Sequence, residues 1–191
     1  IGFVAGAFMS LMGVEEQVSA SYAASLKNLK ELLEAQPVFT PEVSTAEDMW
    51  YIGLKKDKVS DADLNGGAMH GMAYGQISAA MAEGGTSMAG APMCIVHAYD
   101  EGIMDLEFAM PVMDSIAVPE GLTMGKVPGG KVIQKMHLGP YESTASTWEA
   151  ISAYVEDSKA EVRWSPYEIY TNDPSEVKPE AIETLIVYPV N

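Results

Sequence analysis

"GQISAAMAEGG" (residues 75–85) and "EAISAYVEDSK" (149–159) decide how this chain is read. They align at an offset of 74 residues, with Ile77-Ser78-Ala79 falling on Ile151-Ser152-Ala153. The same offset carries "GAPMCIVHAYD" (90–100) onto "WSPYEIYTND" (164–173), so that Pro92 falls on Pro166. Each copy closes with a strand ending in Pro-Val, at Pro111-Val112 and Pro189-Val190, the second after a loop four residues longer. Strand-like runs precede both helices, "MWYIGLKKD" (49–57) and "KVIQKMHL" (131–138), while "YDEG" and "NDPSEVKPE" supply turn residues. Each half thus reads strand, helix, strand, turn, strand, and "VPEGLTMGKVPGG" (118–130) joins them. Two tandem βαββ units predict an α+β fold with pseudo-two-fold symmetry and a groove at the axis.

The step into the second helix is "LGPYESTASTWEAI" (138–151). Gly-Pro-Tyr ends the strand, because proline has no N–H for the ladder, and leaves the Tyr141 ring at the helix mouth. Trp148, Ile151 and Val155 then recur at helical spacing. As packing alone, Tyr141 needs no special loop. As a catalytic group it needs a base or nucleophile, and the sequence offers no Ser-His-Asp or Cys-His arrangement. A ligand contact at the rim of a groove is the reading adopted for Tyr141.

Strand parity selects further groove candidates. In "IMDLEFAM" (103–110), Met104, Leu106, Phe108 and Met110 share one face, assigned to the core, and Glu107 lies on the other. Glu183 likewise alternates with Thr184 in the closing strand. The plain reading of either glutamate is a solvated carboxylate on an exposed sheet face; the functional one is a charge aimed into the groove. In the first helix, Gly67, Gly71 and Gly75 form a bare stripe, either a loose helix or a path for close approach by a ligand. Met72 and Tyr74 lie on the same segment and are groove candidates, methionine being adaptable to varied ligands as well as to irregular cores.

Composition narrows the function classes. With 27 acidic against 11 basic residues and a net charge of −16, the chain repels phosphate backbones and anionic membranes, so no nucleic-acid or membrane partner is expected. An apolar fraction of 48% supports a packed domain rather than disorder. The single Cys94 sits in an apolar run, excludes an internal disulfide and suits a reducing, cytoplasmic setting. His70, His97 and His137 show no metal-ligand spacing; neither a metal nor a cofactor is expected.

"VEEQVSASYAASLKNLKELLEA" (14–35) carries Val18, Tyr22, Leu26, Leu29 and Leu33 as one apolar stripe of a long helix. Such a stripe needs a cover, either a second copy of the chain or an upstream domain. Pro37 and Pro41 break the helix, and residues 37–47 read as a linker. The organisation is therefore an amphipathic helix (1–36), a linker (37–47) and a ligand-binding domain (48–191) with halves 48–117 and 118–191.

"GPYE", the following helix with Trp148, "SPYEIYTNDPSEVKPE" and a last strand ending "YPV" together resemble GyrI-like domains over about residues 48–191. These are the effector-binding domains of multidrug-responsive transcription regulators and their stand-alone relatives. The resemblance implies a duplicated βαββ fold whose groove binds hydrophobic, often cationic, small molecules among aromatic rings and an acidic residue. Position by position it implies ligand contacts for Tyr141, Trp148, Tyr167 and Tyr170. The family's buried glutamate falls on Leu185, a departure that leaves Glu183, on the same face, and Glu107, the matching position of the first half, as the candidate acids. The N-terminal helix resembles the C-terminal helix of START-like (polyketide cyclase/dehydrase) domains, which implies a remnant of an upstream domain. The leading expectation is a sensor or sequestering module for a hydrophobic small molecule. The first rival, implied by relatives that resemble hydrolases of strained cyclopropanes, is an enzyme using Glu107 or Glu183 as acid or base. The second is a non-catalytic partner domain of a START-like neighbour.

Overall fold

The computed structural model describes residues 40–64 and 67–191, together with Ser25. The helix expected over 14–35, its Tyr22, Leu26, Leu29 and Leu33 stripe and the START-like resemblance otherwise lie outside the described residues.

The fold is α+β: one curled, antiparallel, eight-stranded half-barrel sheet with helices on one face. In chain order the elements are β1 (Glu42–Ala46), β2 (Met49–Ser60), α1 (Asp61–Leu64), α2 (Ala68–Gly84), β3 (Met93–Asp100), β4 (Ile103–Pro111), β5 (Thr123–Val127), β6 (Gly130–Leu138), α3 (Thr144–Asp157), β7 (Tyr167–Tyr170) and β8 (Glu183–Pro189). Their order across the sheet is β1-β6-β8-β7-β3-β4-β2-β5. The runs β2-α2-β3-β4 and β6-α3-β7-β8 place β3 and β7 side by side at the centre. There Cys94 pairs with Glu168 and Ile95 with Tyr167. Two reciprocal backbone bonds flank that pair, Val96 N–H to the Pro166 carbonyl and Tyr170 N–H to the Pro92 carbonyl, each 2.9 Å.

Two sequence expectations change. The stretch read as a linker contains β1, an edge strand paired from Glu42↔Gln134 to Ala46↔Gly130. Its alternating Val43 and Thr45 suit a pleat, and Pro41 stands just before it, where a missing N–H costs nothing to the ladder. Gly67 is not inside the helix but caps it from outside, whereas Gly71 and Gly75 lie exposed on α2.

The sheet buries both faces. On one, Ala73, Ile77 and Met81 of α2 pack with Ile52, Leu54, Cys94, Leu106, Phe108 and Met110. The helix α3 lies over β6 and β8 and buries Ile151 and Val155. On the other, Tyr51, Met93, Ile95, Ala109, Val127, Val132, Tyr167 and Val187 form a second core. The alternation Met93/Cys94/Ile95 and Phe108/Ala109/Met110 feeds one residue to each core in turn. Curling explains why the Glu107 side of β4 is not the exposed face of a flat sheet: Glu107 is only 1% exposed.

Candidate ligand site

The short strand β7 sets the site. Period-two alternation sends Tyr167 and Ile169 to the second core and turns Glu168 and Tyr170 toward the helices. The Glu168 carboxylate accepts the Trp148 indole N–H at 2.6 Å and the Tyr170 hydroxyl at 2.9 Å. Burial pushes its pKa above the usual carboxylate value, although these two bonds and nearby His137 pull the other way. Around this acid stand rings from both long helices, three strands and the Gly-Pro-Tyr turn. Tyr170 meets Tyr141 edge-on at 5.6 Å, His70 at 6.0 Å and Tyr74 at 6.5 Å. Tyr74 continues onto Phe108 at 5.9 Å, and Trp148 onto Tyr188 at 5.6 Å. Burial holds the phenols of Tyr74 and Tyr170 well above their usual pKa and lowers that of the His70 imidazole. The tyrosines therefore stay neutral and His70 resists taking a positive charge, which leaves Glu168 as the acid of the aromatic cluster.

The Gly-Pro-Tyr turn is anchored from below by His137. The Ser143 hydroxyl donates to the Pro140 carbonyl at 2.6 Å, so it accepts from His137 Nε2–H at 3.0 Å. The other ring nitrogen, Nδ1, then accepts from the Thr147 hydroxyl at 2.9 Å. This network ties the end of β6 to the first turn of α3 and holds Tyr141 over Tyr170. Gly139 has a φ of +134°, a conformation that favours glycine, and an added Cβ would sit 3.2 Å from Ser143 Oγ and 3.4 Å from His137 Nε2. Gly139→Ala is therefore expected to destabilise the fold by about 1–3 kcal/mol, read as a lowered midpoint in thermal denaturation. An unchanged midpoint would show that the turn does not depend on this conformation.

The sequence candidates fall into separate settings. Tyr141, Trp148, Tyr170 and Tyr74 gather around Glu168 on the helix side. Tyr167 is buried on the opposite face against Trp164, with ring centroids 6.1 Å apart, because three residues along a strand invert the side. Glu107 shares that opposite face, where it accepts from the Tyr51 hydroxyl at 3.2 Å, bonds the Thr123 hydroxyl and lies 2.9 Å from His97 Nε2. Neither a solvated carboxylate nor a member of the aromatic cluster describes it. A Cβ at Gly53 would collide with the Glu107 carboxylate, so the bare backbone there makes the room that the acid occupies. Glu183 stands partly buried at the start of β8 and accepts from the Thr171 hydroxyl at 3.1 Å. Met72 is 65% exposed on α2. Sequence reasoning missed Glu168, His70 and Tyr188. The available signal for Glu168 was its parity with Tyr170 in "YEIY", which puts both on one face.

Two open clefts, of about 360 and 370 Å³, lie elsewhere, one lined by Gln76, Glu83 and Leu122 and the other by Lys131, Tyr154 and Glu161. Neither includes a residue of the aromatic cluster, which is occupied by its own rings. Among the described residues no group of His, Cys, Asp and Glu is placed to hold a metal ion, and no helix is long and apolar enough to cross a membrane. Cys94, paired across the strands with Glu168, is buried, and its thiol pKa is pushed up by that burial. It is an inert core thiol.

A family profile described as the GyrI-like small molecule binding domain matches residues 71–191. Among solved structures, the chain is similar to the EcmrR C-terminal domain, at 17% identity and a TM-score of 0.70 over 81% of this chain and 99% of that one. It is also similar to a hydrolase encoded by lin2189 from Listeria innocua, at 17% identity and a TM-score of 0.54 over 85% and 97%. A third similar structure is SAV2435 bound to tetraphenylphosphonium, at 14% identity and a TM-score of 0.55 over 80% and 94%. These likenesses establish the fold. No curated protein matches the sequence.

Proposed function

The chain belongs to the GyrI-like family of small-molecule-binding domains, and from that premise we propose that it binds hydrophobic aromatic cations on the helix side, with Glu168 as the countercharge. The observation that carries this reading is the desolvated Glu168 carboxyl enclosed by Trp148, Tyr170, Tyr141 and Tyr74. Ring faces attract cations by roughly 0.5–2 kcal/mol per contact, more when water is excluded, and a carboxylate in the same enclosure adds charge complementarity. Tetraphenylphosphonium, the ligand of SAV2435, has the matching chemistry. Tyr141, 39% exposed, is the outermost of these rings and the first that an entering cation would meet, because Tyr170 and Tyr74 lie deeper. The module works as a sensor or a sequestering protein.

The matching element order of the two halves and the reciprocal Pro92 and Pro166 bonds support a duplicated βαββ unit with its axis between β3 and β7. Glu168 stands on that central pair, which is where a groove shared by two related halves belongs.

Titration with tetraphenylphosphonium should quench tryptophan fluorescence, with the saturable component abolished in Trp148→Phe and kept in Trp50→Phe and Trp164→Phe. Saturable quenching that survives Trp148→Phe would place the ligand elsewhere. Tyr141→Ala is expected to weaken binding by about 1 kcal/mol or roughly fivefold. An unchanged affinity would remove Tyr141 from the site.

The raised Glu168 pKa favours a second reading, hydrolysis of a strained electrophile, in which the still-protonated carboxyl gives its proton to the departing carbon or heteroatom. Turnover of such a substrate, lost in Glu168→Gln, separates this reading from binding alone.

A further inference from the structure

On the sheet face away from the aromatic cluster, three residues from separate segments stand in line. Ser165 Oγ lies 3.1 Å from His97 Nδ1, and His97 Nε2 lies 2.9 Å from Glu107 Oε2. Ser165 is 68 residues from His97, and His97 is ten from Glu107 across the β3–β4 hairpin; the β3–β7 and β3–β4 pairings join the three. From this geometry we propose that Ser165 is an activated nucleophile, with His97 as its base and Glu107 as the positioning acid, acting on small activated carboxylic esters.

The supports of the line are built in. The register of β3 against β4 shifts between Val96 and Ala98, so His97 is the extra residue of a bulge, a device that re-aims a side chain. Its ring thereby reaches Glu107 on one side and Ser165 on the other. Glu107 is almost fully buried, yet it is held by the Tyr51 and Thr123 hydroxyls and accommodated by the bare backbone of Gly53. Burial keeps the Tyr51 phenol far above its usual pKa, so Tyr51 is a donor to Glu107. A carboxylate offers only lone pairs, so the remaining donor is His97 Nε2–H. That tautomer leaves Nδ1 with a free lone pair directed at the Ser165 hydroxyl. Nucleophile, base and orienting acid thus follow the order of a Ser-His-acid triad, although the two imidazole nitrogens exchange the places they hold in the serine proteases.

The site is open to small molecules, since the His97 side chain is 30% exposed and Ser165 is partly exposed. The net charge of −16 selects neutral or cationic esters over anionic ones. In the reaction Ser165 Oγ bonds to the ester carbonyl carbon while its proton passes to His97 Nδ1. The resulting imidazolium stays bonded to Glu107, then gives that proton to the leaving alkoxide as the C–O bond breaks. Water next attacks the acyl-serine, losing a proton to His97, and the acyl group departs as a carboxylic acid while Ser165 regains its proton. The sum is ester plus water to acid plus alcohol.

The test uses the full chain with p-nitrophenyl acetate, following p-nitrophenolate release and locating acetyl groups by peptide mass. Acetylation of Ser165 is expected at least tenfold faster than of any lysine or tyrosine, and at the basal rate in heat-denatured protein. His97→Ala should lower the Ser165 acetylation rate at least tenfold, and free imidazole should restore part of it at Ser165, a response that a structural role for His97 would not give. His97 sits at an exposed position, and the denatured control needs no substitution. Acetyl groups spread over lysines with none preferred at Ser165, or equal labelling of native and denatured chain, would overturn the proposal.

Discussion

Glu168→Gln is expected to weaken tetraphenylphosphonium binding at pH 8 by roughly 30-fold, about 2 kcal/mol, the lower end for removing one partner of a buried charge pair. The substitution keeps the volume and leaves an acceptor for Trp148, so the aromatic enclosure should persist while its charge disappears. Stability should respond in the opposite direction. Burial raises the folded-state pKa of Glu168 above the ordinary value of 4.5, so the folded chain holds a proton there that the unfolded chain has already released. Between those two values the folded state binds more protons, and stability contributed by this group falls as pH rises through that interval. Gln at this position has no proton to lose. Denaturant titrations at pH 4 and pH 8 should therefore show a smaller decline with pH in Glu168→Gln than in the parent. Equal declines, with unchanged cation affinity, would deny Glu168 both roles.

Phe108→Ala is expected to lower folding stability by about 3–5 kcal/mol, the range for emptying a buried aromatic position. Phe108 has no exposed surface and packs with Ile52, Leu54, Ala73 and Ile77. Its ring also backs the aromatic cluster, edge-on to His70 at 5.0 Å and to Tyr74 at 5.9 Å. For a domain of this size such a loss lowers the thermal midpoint by roughly 6–20 °C. Met72→Ala, at an exposed position of the same neighbourhood, should stay within about 0.5 kcal/mol of the parent. A small effect at Phe108 would mean that α2 does not depend on the β4 face for its packing.

The order of elements was legible because local signals agreed with tertiary ones. Alternating strands, Pro-Val closures and the Gly-Pro-Tyr stop each mark a boundary that the chain respects. The edge strand β1 was hidden because five residues between prolines and charges look like a linker until β6 offers a partner. Parity was read correctly for Phe108 and Met110, while the opposite side was left between open water and a ligand groove. Whether that side is buried depends on the curl of the whole sheet, which no single strand encodes. That is why Glu107 is enclosed rather than solvated, whereas Tyr167 faces away from Tyr170 simply because three residues along a strand invert the side. The three polar residues Ser165, His97 and Glu107 could not be joined from spacing, since a bulge and two strand pairings bring them together.

Calorimetric titration of the parent chain with tetraphenylphosphonium across pH 5–8, in buffers of different ionisation enthalpy, tests the central claim most directly. A cation needs the ionised form of Glu168, whose pKa burial has raised. Affinity should therefore climb with pH and level off above that raised value, and on the acid side each binding event should release a proton to the buffer. Binding whose affinity is flat with pH and whose heat is the same in every buffer would contradict the account.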